Sequence, residues 1–450
     1  MISDRISVVG LGKLGLCLAA CFAEKGFTTI GVDIEERVVN LVNQGITPWY
    51  EPGLADLIDK HHGEGLHATR SHQEAIEVTD ITFILVATPS NPDGSFSNRF
   101  VESALRSLAI ALRESKKDSH LFVISSTVMP GSTTASFIPT IEEYSGRTLN
   151  HGFSVCYTPD FVALGNVIKG FLHPDIVLIG ESIKTAGDIV EAIFQKMCEN
   201  QPAISRMEII NAEIAKVCLN VYITTKISFA NSIANLCEQI PGANVDAVTK
   251  AIGMDRRISP YYFQGGLSYG GVCFPRDTRA YKMLAAEWGV QAELIHATEK
   301  VNQFQDRHLA ELVLRELARL HNKTVAILGL AFTPHTSVVK ESPALKLITE
   351  LIKHDIRIIV HDPYAIDETR AVFGSSIEYA HSISTCIEQV GLIVVMLRIS
   401  EFRQGIEAST FTQPTTIIDC WRILDPQNLP AVVRYVAIGK ASQQPDNGTA

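Results

Sequence analysis

The sequence predicts an α/β protein with two doubly wound parallel sheets and a long central helix between them. Short β-rich runs alternate with helical stretches over residues 5–180 and again from residue 322. This alternation is typical of a parallel sheet with helices on both faces. Between these parts, apolar residues recur at helical spacing over residues 207–236, which predicts a single helix of about 30 residues or more.

Length and composition narrow the class of protein. A chain of 450 residues is too long for one core, so two or three domains are expected. Its 46% hydrophobic and 20% charged residues are ordinary for a soluble protein, and no apolar run reaches the roughly 18–20 residues that cross a bilayer. The N-terminus lacks a signal-peptide pattern. We therefore expect a cytoplasmic protein with no membrane partner.

Charge and cysteine usage exclude further classes. The net charge of −10 disfavours general nucleic-acid binding, so no nucleic-acid partner is expected. The nine cysteines are scattered without CxxC pairs, which argues against a disulfide framework and against a metal site.

The first half opens with a phosphate-binding pattern. A strand at residues 6–9 runs into Gly10-Leu11-Gly12-Lys13-Leu14-Gly15, a helical stretch follows, and the next strand ends at Asp33. In this context the three glycines predict a dinucleotide site: a tight turn, close approach of the pyrophosphate, and close helix–strand packing. Asp33 would bind the ribose and repel a 2′-phosphate, which favours NAD. Arg37, close by, weakens that preference, and a glycine turn without a ligand is the alternative.

The second half repeats the strand–turn–helix pattern. Residues 324–329 form a strand that enters a glycine turn, and further strands are predicted at 356–360, 391–397 and 416–418. We therefore expect a second, degenerate Rossmann-like domain.

Cys273 lies in the loop Gly270-Gly271-Val272-Cys273-Phe274-Pro275-Arg276-Asp277. Most cysteines without disulfides are small core residues, which is the alternative here. A Gly- and Pro-rich loop with an adjacent arginine suits a nucleophilic thiol better, because nearby cations favour the reactive thiolate.

Lys216 and Asn220 are four residues apart on the predicted long helix. This spacing puts an ammonium and an amide on one face, where they could bind the oxygen of a reacting alcohol or aldehyde. A solvated polar stripe is the alternative. The helix itself could connect domains and pack against a second copy of the chain, or it could be an ordinary bundle helix.

Residues 1–440 resemble the UDP-glucose/GDP-mannose dehydrogenase family of nucleotide-sugar 6-dehydrogenases. Its motifs occur in family order: GLGKLG at 10–15, YEPGL at 50–54, VATPS at 86–90, STVMPG at 126–131, TPDF at 158–161, AEIAK at 212–216 followed by Asn220, KISF at 226–229, DRRI at 255–258, GGVCFPRD at 270–277, GLAF at 329–332, ESP at 341–343 and DP at 362–363. The ordered set covers nearly the whole chain and is highly specific.

The resemblance implies roles for individual residues. Cys273 corresponds to the nucleophile, with Lys216, Asn220, Asp277, Thr127 and Asp160 as the other catalytic groups. The cofactor-binding residues would be Gly10, Leu11, Gly12, Lys13, Leu14, Gly15, Asp33, Arg37, Thr88, Pro89, Thr127 and Lys340. The substrate-binding residues would be Phe161, Lys216, Asn220, Arg257, Tyr269, Gly270, Phe274, Phe332 and Arg422, with Arg257 reaching the site of a neighbouring subunit.

The resemblance also implies the domain organisation and the reaction. It implies an NAD-binding Rossmann domain at 1–204, a central helical dimerisation region carrying the catalytic loop at 205–305, and a C-terminal nucleotide-sugar-binding Rossmann-like domain at 306–441. A disordered tail is predicted at 442–450. The reaction would be NAD-dependent, four-electron oxidation of C6 of a nucleotide sugar, with UDP-glucose to UDP-glucuronate as the leading case and a homodimer or higher oligomer as the enzyme.

Some positions depart from the family pattern. Asp160 replaces a glutamate, Leu164 replaces a second glutamate, Thr333 and Lys340 replace a lysine and an arginine, and Arg276 replaces a lysine. We expect these changes to affect the sugar and the base, not the reaction class. The alternatives are TDP-glucose, a UDP-N-acetylhexosamine or GDP-mannose as substrate, a two-electron 3-hydroxyacid-type or 6-phosphogluconate-type dehydrogenase, and a non-catalytic nucleotide-sugar sensor.

Overall fold

The computed structural model describes residues 4–388 and 390–441, so the predicted tail at 442–450 lies outside the described residues. The chain divides into two compact units, residues 1–219 and 220–450, and the boundary falls inside the longest helix, Ile209–Gln239. The predicted fold class is confirmed, since each unit contains a doubly wound sheet. The predicted division into three domains stays a prediction.

The sheet of the first unit is doubly wound. Its strands are β1 (Arg5–Val9), β2 (Thr28–Val32), β3 (Leu66–Thr69), β4 (Ile81–Ile84), β5 (Leu121–Ile124), β6 (Thr148–Leu149), β7 (Gly152–Tyr157), β8 (Ile176–Glu181) and β9 (Ala203–Glu208). They are ordered β3-β2-β1-β4-β5-β7-β8-β9, with β6 beside β7. The sheet was expected to be wholly parallel, but β7 and β8 pair antiparallel.

The helices of the first unit cover both faces of this sheet. They are α1 (Lys13–Glu24), α2 (Glu36–Asn43), α3 (Leu54–His61), α4 (His72–Val78), α5 (Arg99–Glu114), α6 (Ile138–Ser145), α7 (Val167–Leu172) and α8 (Lys184–Met197), with a π-helical turn at Thr133–Phe137. The long helix α9 (Ile209–Gln239) begins directly after β9.

Residues 205–208 correct the sequence prediction. They were expected to belong to the helical region, but they lie in β9, which pairs in parallel with β8 over six residues. An edge strand of half-buried residues has no clear alternation of apolar and polar side chains, so its sequence resembles the first turns of a helix.

Alternate residues of each central strand fill two separate cores. In β5, Leu121 and Val123 belong to one apolar cluster, whereas Phe122 and Ile124 belong to the other. Because side chains alternate across a strand, both faces of the sheet are buried, as expected for parallel strands covered by helices.

The second unit repeats the doubly wound arrangement. Its sheet is ordered β12-β11-β10-β13-β14-β15. These strands are β10 (Thr324–Leu328), β11 (Arg357–His361), β12 (Glu378–Tyr379), β13 (Leu392–Val395), β14 (Thr415–Asp419) and β15 (Val433–Ala437). The helices are α10 (Val245–Gly253), α11 (Phe274–Glu287), α12 (Glu293–Arg319), α13 (Pro343–Ile352), α14 (Ile366–Phe373), α15 (Ile383–Ile387) and α16 (Ser400–Glu407). Among the described residues, no helix is both long enough and apolar enough to span a membrane.

A buried network of polar side chains connects strands β1 and β4 of the first unit with the residues that precede β4 and β5. The hydroxyls of Ser7, Thr79 and Thr82 are linked by hydrogen bonds, and Thr82 Oγ1 lies 2.7 Å from Nε2 of His120. Nδ1 of His120 has no hydrogen-bond partner in the described part of the chain. Burial, together with the charge of Lys117, lowers the pKa of His120 from 6.5 to about 3, so the imidazole is neutral in the folded protein near neutral pH.

We predict that His120 makes the protein acid-sensitive. Below pH 6.5 the unfolded chain binds a proton at this imidazole that the folded chain does not accept until about pH 3, so stability falls as pH is lowered through this window, by at most about 1.4 kcal/mol per pH unit. His120→Gln should flatten the dependence of the urea-unfolding midpoint on pH, whereas His151→Gln, at an exposed position of the same unit, should not. Equal pH dependence in wild type and His120→Gln would contradict the prediction.

Candidate active site

The glycine turn after β1 has the geometry that a dinucleotide requires. Gly10 has a φ of 95°, and a Cβ there would lie 2.6 Å from the carbonyl oxygen of Leu85. A Cβ at Gly15 would lie 1.9 Å from the carbonyl oxygen of Gly10, whereas a Cβ at Gly12 would meet nothing within 4 Å. Gly10 and Gly15 are therefore required by packing, and Gly12 leaves open space at the N-terminus of α1.

The N-terminus of α1 is suited to a phosphate. No side chain caps this 12-residue helix, so the amides of its first turn, including those of Lys13 and Leu14, are available to an anion and the helix dipole favours one there. These residues fit the pyrophosphate of a dinucleotide.

Asp33 lies at the end of β2 and already holds the turn together. Its Oδ2 accepts the backbone N–H of Leu11 at 2.7 Å, and its Oδ1 accepts that of Glu35 at 2.9 Å. The carboxylate is half-buried and keeps further lone pairs for ribose hydroxyls. Leu11, predicted to bind the cofactor, is instead fully buried, so its part in the site is to hold Asp33. Arg37 is exposed on α2.

Thr88 and Thr127 meet at the carboxyl ends of the neighbouring strands β4 and β5. Thr88 Oγ1 donates to the carbonyl oxygen of Thr127 at 2.7 Å. Ser126 Oγ bridges the backbone N–H and carbonyl of Val86, at 2.9 and 2.7 Å. Pro89, which follows Thr88 in the chain, is exposed. The two strand ends therefore form one connected surface beside the glycine turn.

Glu213, in the first turns of α9, holds the loop that follows Thr127. Its carboxylate is fully buried and accepts the N–H of Gly131 at 2.6 Å, the N–H of Thr133 at 3.0 Å and the hydroxyl of Thr133 at 2.6 Å. Burial raises the pKa of Glu213, and these three hydrogen bonds oppose the increase.

Lys216 is bound to the loop that contains Asp160. Its ammonium donates to the backbone carbonyl of Asp160 and lies 4.6 Å from the centre of the Phe161 ring. The other end of this loop is held by the buried Glu51, which accepts the N–H groups of Gly165 at 3.1 Å and Val167 at 2.9 Å. The sequence alone did not indicate the roles of Glu51 and Glu213, because each carboxylate is more than 75 residues from its partners along the chain.

In the second unit, Cys273 is the residue that precedes α11. It is the one exposed cysteine of the nine, and it occupies the N-cap position of this 14-residue helix. The carbonyl of Cys273 accepts the N–H of Asp277 at 2.8 Å. The thiol therefore lies at the positive end of a helix dipole, where an anion is favoured.

Asp277 and Asn220 form a buried pair. Asn220 donates to Oδ2 of Asp277 at 2.6 Å, and Nε of Arg276 donates to Oδ1 at 2.8 Å. Asp277 is fully buried, and Lys216 and Asn220 are only 6% and 8% exposed. The alternative of a solvated polar stripe is therefore wrong.

The loop that leads to Cys273 fits closely against the turn after β10. A Cβ at Gly270 would lie 2.2 Å from the carbonyl oxygen of Glu341, and one at Gly271 would lie 2.6 Å from the ring of Phe332. Tyr269 and Phe274 pack edge to face, with ring centres 6.3 Å apart. No larger residue fits at either glycine, so the path of this loop is fixed by packing.

Three buried amides hold the start of the same loop. Asn302 accepts the N–H of Tyr269 at 2.7 Å and donates to its carbonyl at 3.1 Å. Asn231 binds Gly266 N–H and the Leu267 carbonyl, at 2.8 and 3.0 Å, and Gln305 donates to the Gly266 carbonyl at 2.8 Å. Sequence reasoning missed these residues, because an amide on a helix does not reveal whether it faces solvent or a buried loop.

Arg422 was predicted to contact the nucleotide, but its guanidinium forms hydrogen bonds with groups inside the protein. It pairs with both oxygens of Asp246 at 2.7 and 2.8 Å, and it donates to the carbonyls of Gly265, Ile438 and Cys420 at 2.8, 2.6 and 3.4 Å. Its side chain is 2% exposed. All five N–H donors are occupied, so this arrangement does not fit the predicted contact.

Two other predicted site residues are exposed. Arg257 is 87% exposed and pairs with Asp255 at 2.7 Å. Lys340 is also exposed, and its carbonyl accepts the N–H of Gly271 at 3.2 Å.

Comparisons with known proteins agree with this geometry. Three models of the UDP-glucose/GDP-mannose dehydrogenase family match: the NAD binding domain at residues 4–198, the central domain at 210–304 and the UDP binding domain at 326–426. The chain is 35% identical to the UDP-glucose 6-dehydrogenase AglM of Haloferax volcanii over 422 residues, which are 93% of this chain and 97% of that protein.

Two further relatives agree. The GDP-mannose 6-dehydrogenase of Pseudomonas savastanoi pv. phaseolicola is 33% identical over 84% of each chain. The structure of a UDP-glucose dehydrogenase from Pyrobaculum islandicum superimposes with a TM-score of 0.87 at 30% identity, covering 97% of this chain and 98% of that one. With its turn after β1 shaped for a dinucleotide and all three domain models matched, the chain belongs to the UDP-glucose/GDP-mannose dehydrogenase family, and its cofactor is NAD.

Proposed function

We propose that the protein oxidises C6 of a nucleotide sugar from the primary alcohol to the carboxylate, with Cys273 as the covalent nucleophile. The observation that carries this proposal is the exposed thiol of Cys273 at the N-terminus of α11, one helical turn before the buried Asp277. A two-electron dehydrogenase has no need of such a thiol. The overall reaction consumes one alcohol, two NAD⁺ and one water, and it yields one carboxylate, two NADH and three protons.

Each protein group has a defined task in this proposal. Bound NAD supplies a hydride acceptor in both oxidation steps. The Cys273 thiolate adds to the aldehyde carbon, because an aldehyde loses hydride readily only after a nucleophile has made it tetrahedral. The resulting thiohemiacetal is oxidised to a thioester. Hydrolysis of the thioester then releases the carboxylate and the thiol.

Polar groups near the reacting atoms stabilise the negative charge that develops on oxygen during these steps. Lys216 and Asn220 are buried donors whose positions are fixed by Asp160 and Asp277, and fixed donors stabilise an oxyanion at little reorganisation cost. We assign Thr127 and Asp160 to placing the hydrolytic water. The loops at 131–133 and 165–167 are held by hydrogen bonds to buried carboxylates. This supports the assignment, because it restricts the movement of Thr127 and Asp160.

We propose UDP-glucose as the substrate, with UDP-glucuronate as the product. The UDP binding domain model and the Haloferax volcanii relative support this choice. GDP-mannose is the second candidate, because the relative from Pseudomonas savastanoi is nearly as similar. Measuring NADH formation with a panel of nucleotide sugars tests the choice, and two NADH per acid separate both candidates from a two-electron dehydrogenase.

Replacing the nucleophile tests the mechanism. Cys273→Ser should reduce acid formation by at least about 100-fold, because a hydroxyl is a far weaker nucleophile than a thiolate, while NAD affinity measured by calorimetry stays within about twofold. Cys218→Ser, at a half-buried cysteine, is the matched control and should stay active. Near-normal acid formation by Cys273→Ser would rule out the covalent mechanism.

Asp33 should set the preference for NAD over NADP. Asp33→Asn removes the charge that repels a 2′-phosphate, and the ratio of kcat/KM for NAD to that for NADP should fall about tenfold, equivalent to about 1.4 kcal/mol. NAD use itself should also fall, because the amide cannot accept both the Leu11 and Glu35 N–H groups. Glu36→Gln, at an exposed position on α2, is the control for a simple change of charge. A wild type that uses both cofactors equally would refute the role of Asp33.

We also propose that the protein is at least a dimer formed through α9. Tyr222, Phe229 and Leu236 are spaced seven residues apart on this helix and are 65%, 59% and 59% exposed. Large apolar side chains in such a row are typical of an interaction surface, and a second copy of the same chain is the proposed partner. The exposed Arg257 would reach the neighbouring subunit's site.

Light scattering tests the dimer. The wild type should have at least twice the mass of one chain, and Phe229→Glu should lower the mass because a charge in an apolar interface is costly. Arg257→Ala should lower activity without changing the mass. An active wild-type monomer would contradict both assignments.

A further inference from the structure

Lys226 and Phe229, both on α9, have no catalytic task in the proposed reaction, but they hold the loop at 254–263 in the second unit. Lys226 donates from Nζ to the backbone carbonyl of Ile258 at 2.9 Å, and its ammonium lies 5.9 Å from the centre of the Phe263 ring. Phe229 stacks on the same ring, with centres 6.1 Å apart and planes inclined by 20°. One side of the loop is therefore attached to α9.

The backbone of the 254–263 loop is strained at two positions. Ser259 and Tyr262 have φ angles of 67° and 59°, in the left-handed region that residues with a Cβ adopt at a cost. Such a backbone persists only where contacts around it hold it. Those contacts include the attachment to α9 and an edge-to-face contact between Tyr262 and Phe274, whose ring centres lie 6.0 Å apart.

This loop presents Arg257 to solvent. The guanidinium of Arg257 is 87% exposed and donates to both carboxylate oxygens of Asp255, at 3.0 and 2.7 Å. An exposed ion pair contributes little to stability, so the side chain can leave Asp255 for another anion. The backbone does not have this freedom, because the carbonyl of Asp255 accepts the N–H groups of Ile258 and Ser259 at 2.9 and 3.0 Å.

Lys226 is suited to fixing that backbone. Its side chain is half-buried, and burial lowers the pKa of its ammonium. Its partners in the described part of the chain are the Ile258 carbonyl and the Phe263 ring, and both belong to the 254–263 loop. A hydrogen bond from a charged donor is stronger than one between neutral groups, so this contact is a firm attachment beside Arg257.

We infer that Lys226 is a positioning residue for Arg257: by holding the carbonyl of Ile258, it fixes the place from which the guanidinium reaches the neighbouring subunit's site. The inference rests on the proposed function, which supplies both the dimer and the anionic nucleotide sugar. Phe229 belongs to the apolar row proposed as the dimer surface and packs against the same loop, so the loop lies beside that surface.

Steady-state kinetics with UDP-glucose tests the inference. Arg257→Ala should raise KM about 10- to 100-fold, the usual effect of losing a charged hydrogen bond. Lys226→Met should raise KM about 5- to 10-fold, with kcat, NAD affinity and dimer mass within about twofold of wild type. Lys226→Arg should recover part of the loss, because it keeps a charged donor. Lys250→Met, at an exposed lysine on α10, is the matched control and should behave as wild type.

A double variant separates positioning from a general structural effect. In the Arg257→Ala background, Lys226→Met should raise KM no further, because the side chain that Lys226 positions is gone. If the two effects multiply instead, Lys226 acts elsewhere and the inference is wrong.

Mixed dimers test whether the loop acts on the neighbouring site. A Lys226→Met subunit is co-expressed with a Cys273→Ser subunit, and the mixed dimer is purified through a different affinity tag on each. One of its sites combines an intact Cys273 with the intact loop of the other subunit. This dimer should have the wild-type KM with about half the wild-type kcat, since its other site lacks the thiol. A KM equal to that of Lys226→Met alone would overturn the inference.

The outcomes separate this inference from the proposed function. If Arg257→Ala raises KM and Lys226→Met does not, the role of Lys226 is wrong and the proposed function stands. If Arg257→Ala leaves KM unchanged, or the wild type is an active monomer, the proposed role of Arg257 fails and the inference fails with it.

Discussion

The candidate site depends on hydrogen bonds that buried side chains make to the backbone of loops. A buried N–H or carbonyl without a partner costs about 1–3 kcal/mol, and irregular loops cannot satisfy these groups with a regular ladder. Glu213 binds two backbone N–H groups of the loop after Thr127, Glu51 binds two in the loop after Asp160, and Asn302 binds both backbone groups of Tyr269. The loops are therefore fixed by the same residues that make their burial possible.

One structural device occurs in both units with different consequences. In each, an aspartate at or just after the end of the second strand accepts N–H groups from the turn after the first strand. Asp33 accepts two backbone N–H groups and is half-buried, whereas Asp362 accepts four and is only 3% exposed. A carboxylate with four donors has little capacity left for ribose hydroxyls. The turn after β10 therefore has the backbone arrangement of a dinucleotide site, but Asp362 cannot make the ribose contact that Asp33 can make.

Local patterns in the sequence were sufficient for the fold and for the glycine turn. A short stretch of sequence was enough to predict the roles of Gly10, Gly15 and Asp33, because the strand, turn and helix are adjacent in the chain. Arg422 could not be assigned in this way: its partner Asp246 is 176 residues distant, and a buried bidentate pair has no local signature. The edge strand at 203–208 was missed for a related reason, since its strand character comes from pairing with β8 rather than from alternation of its own residues.

The departure at Leu164 shows how such a loop can change its chemistry without losing its position. Leu164 packs against the apolar cluster beneath α1, and the backbone of the next residue, Gly165, is held by Glu51. The anchoring of the loop therefore does not depend on a carboxylate at position 164, and Lys216 still binds the carbonyl of Asp160. A family member with leucine in place of this glutamate can keep Asp160 and Lys216, to which we assign water placement and oxyanion stabilisation, in position. Because residue 164 does not anchor the loop, we expect this departure to leave the reaction class unaltered, and any effect of it to fall on the sugar preference.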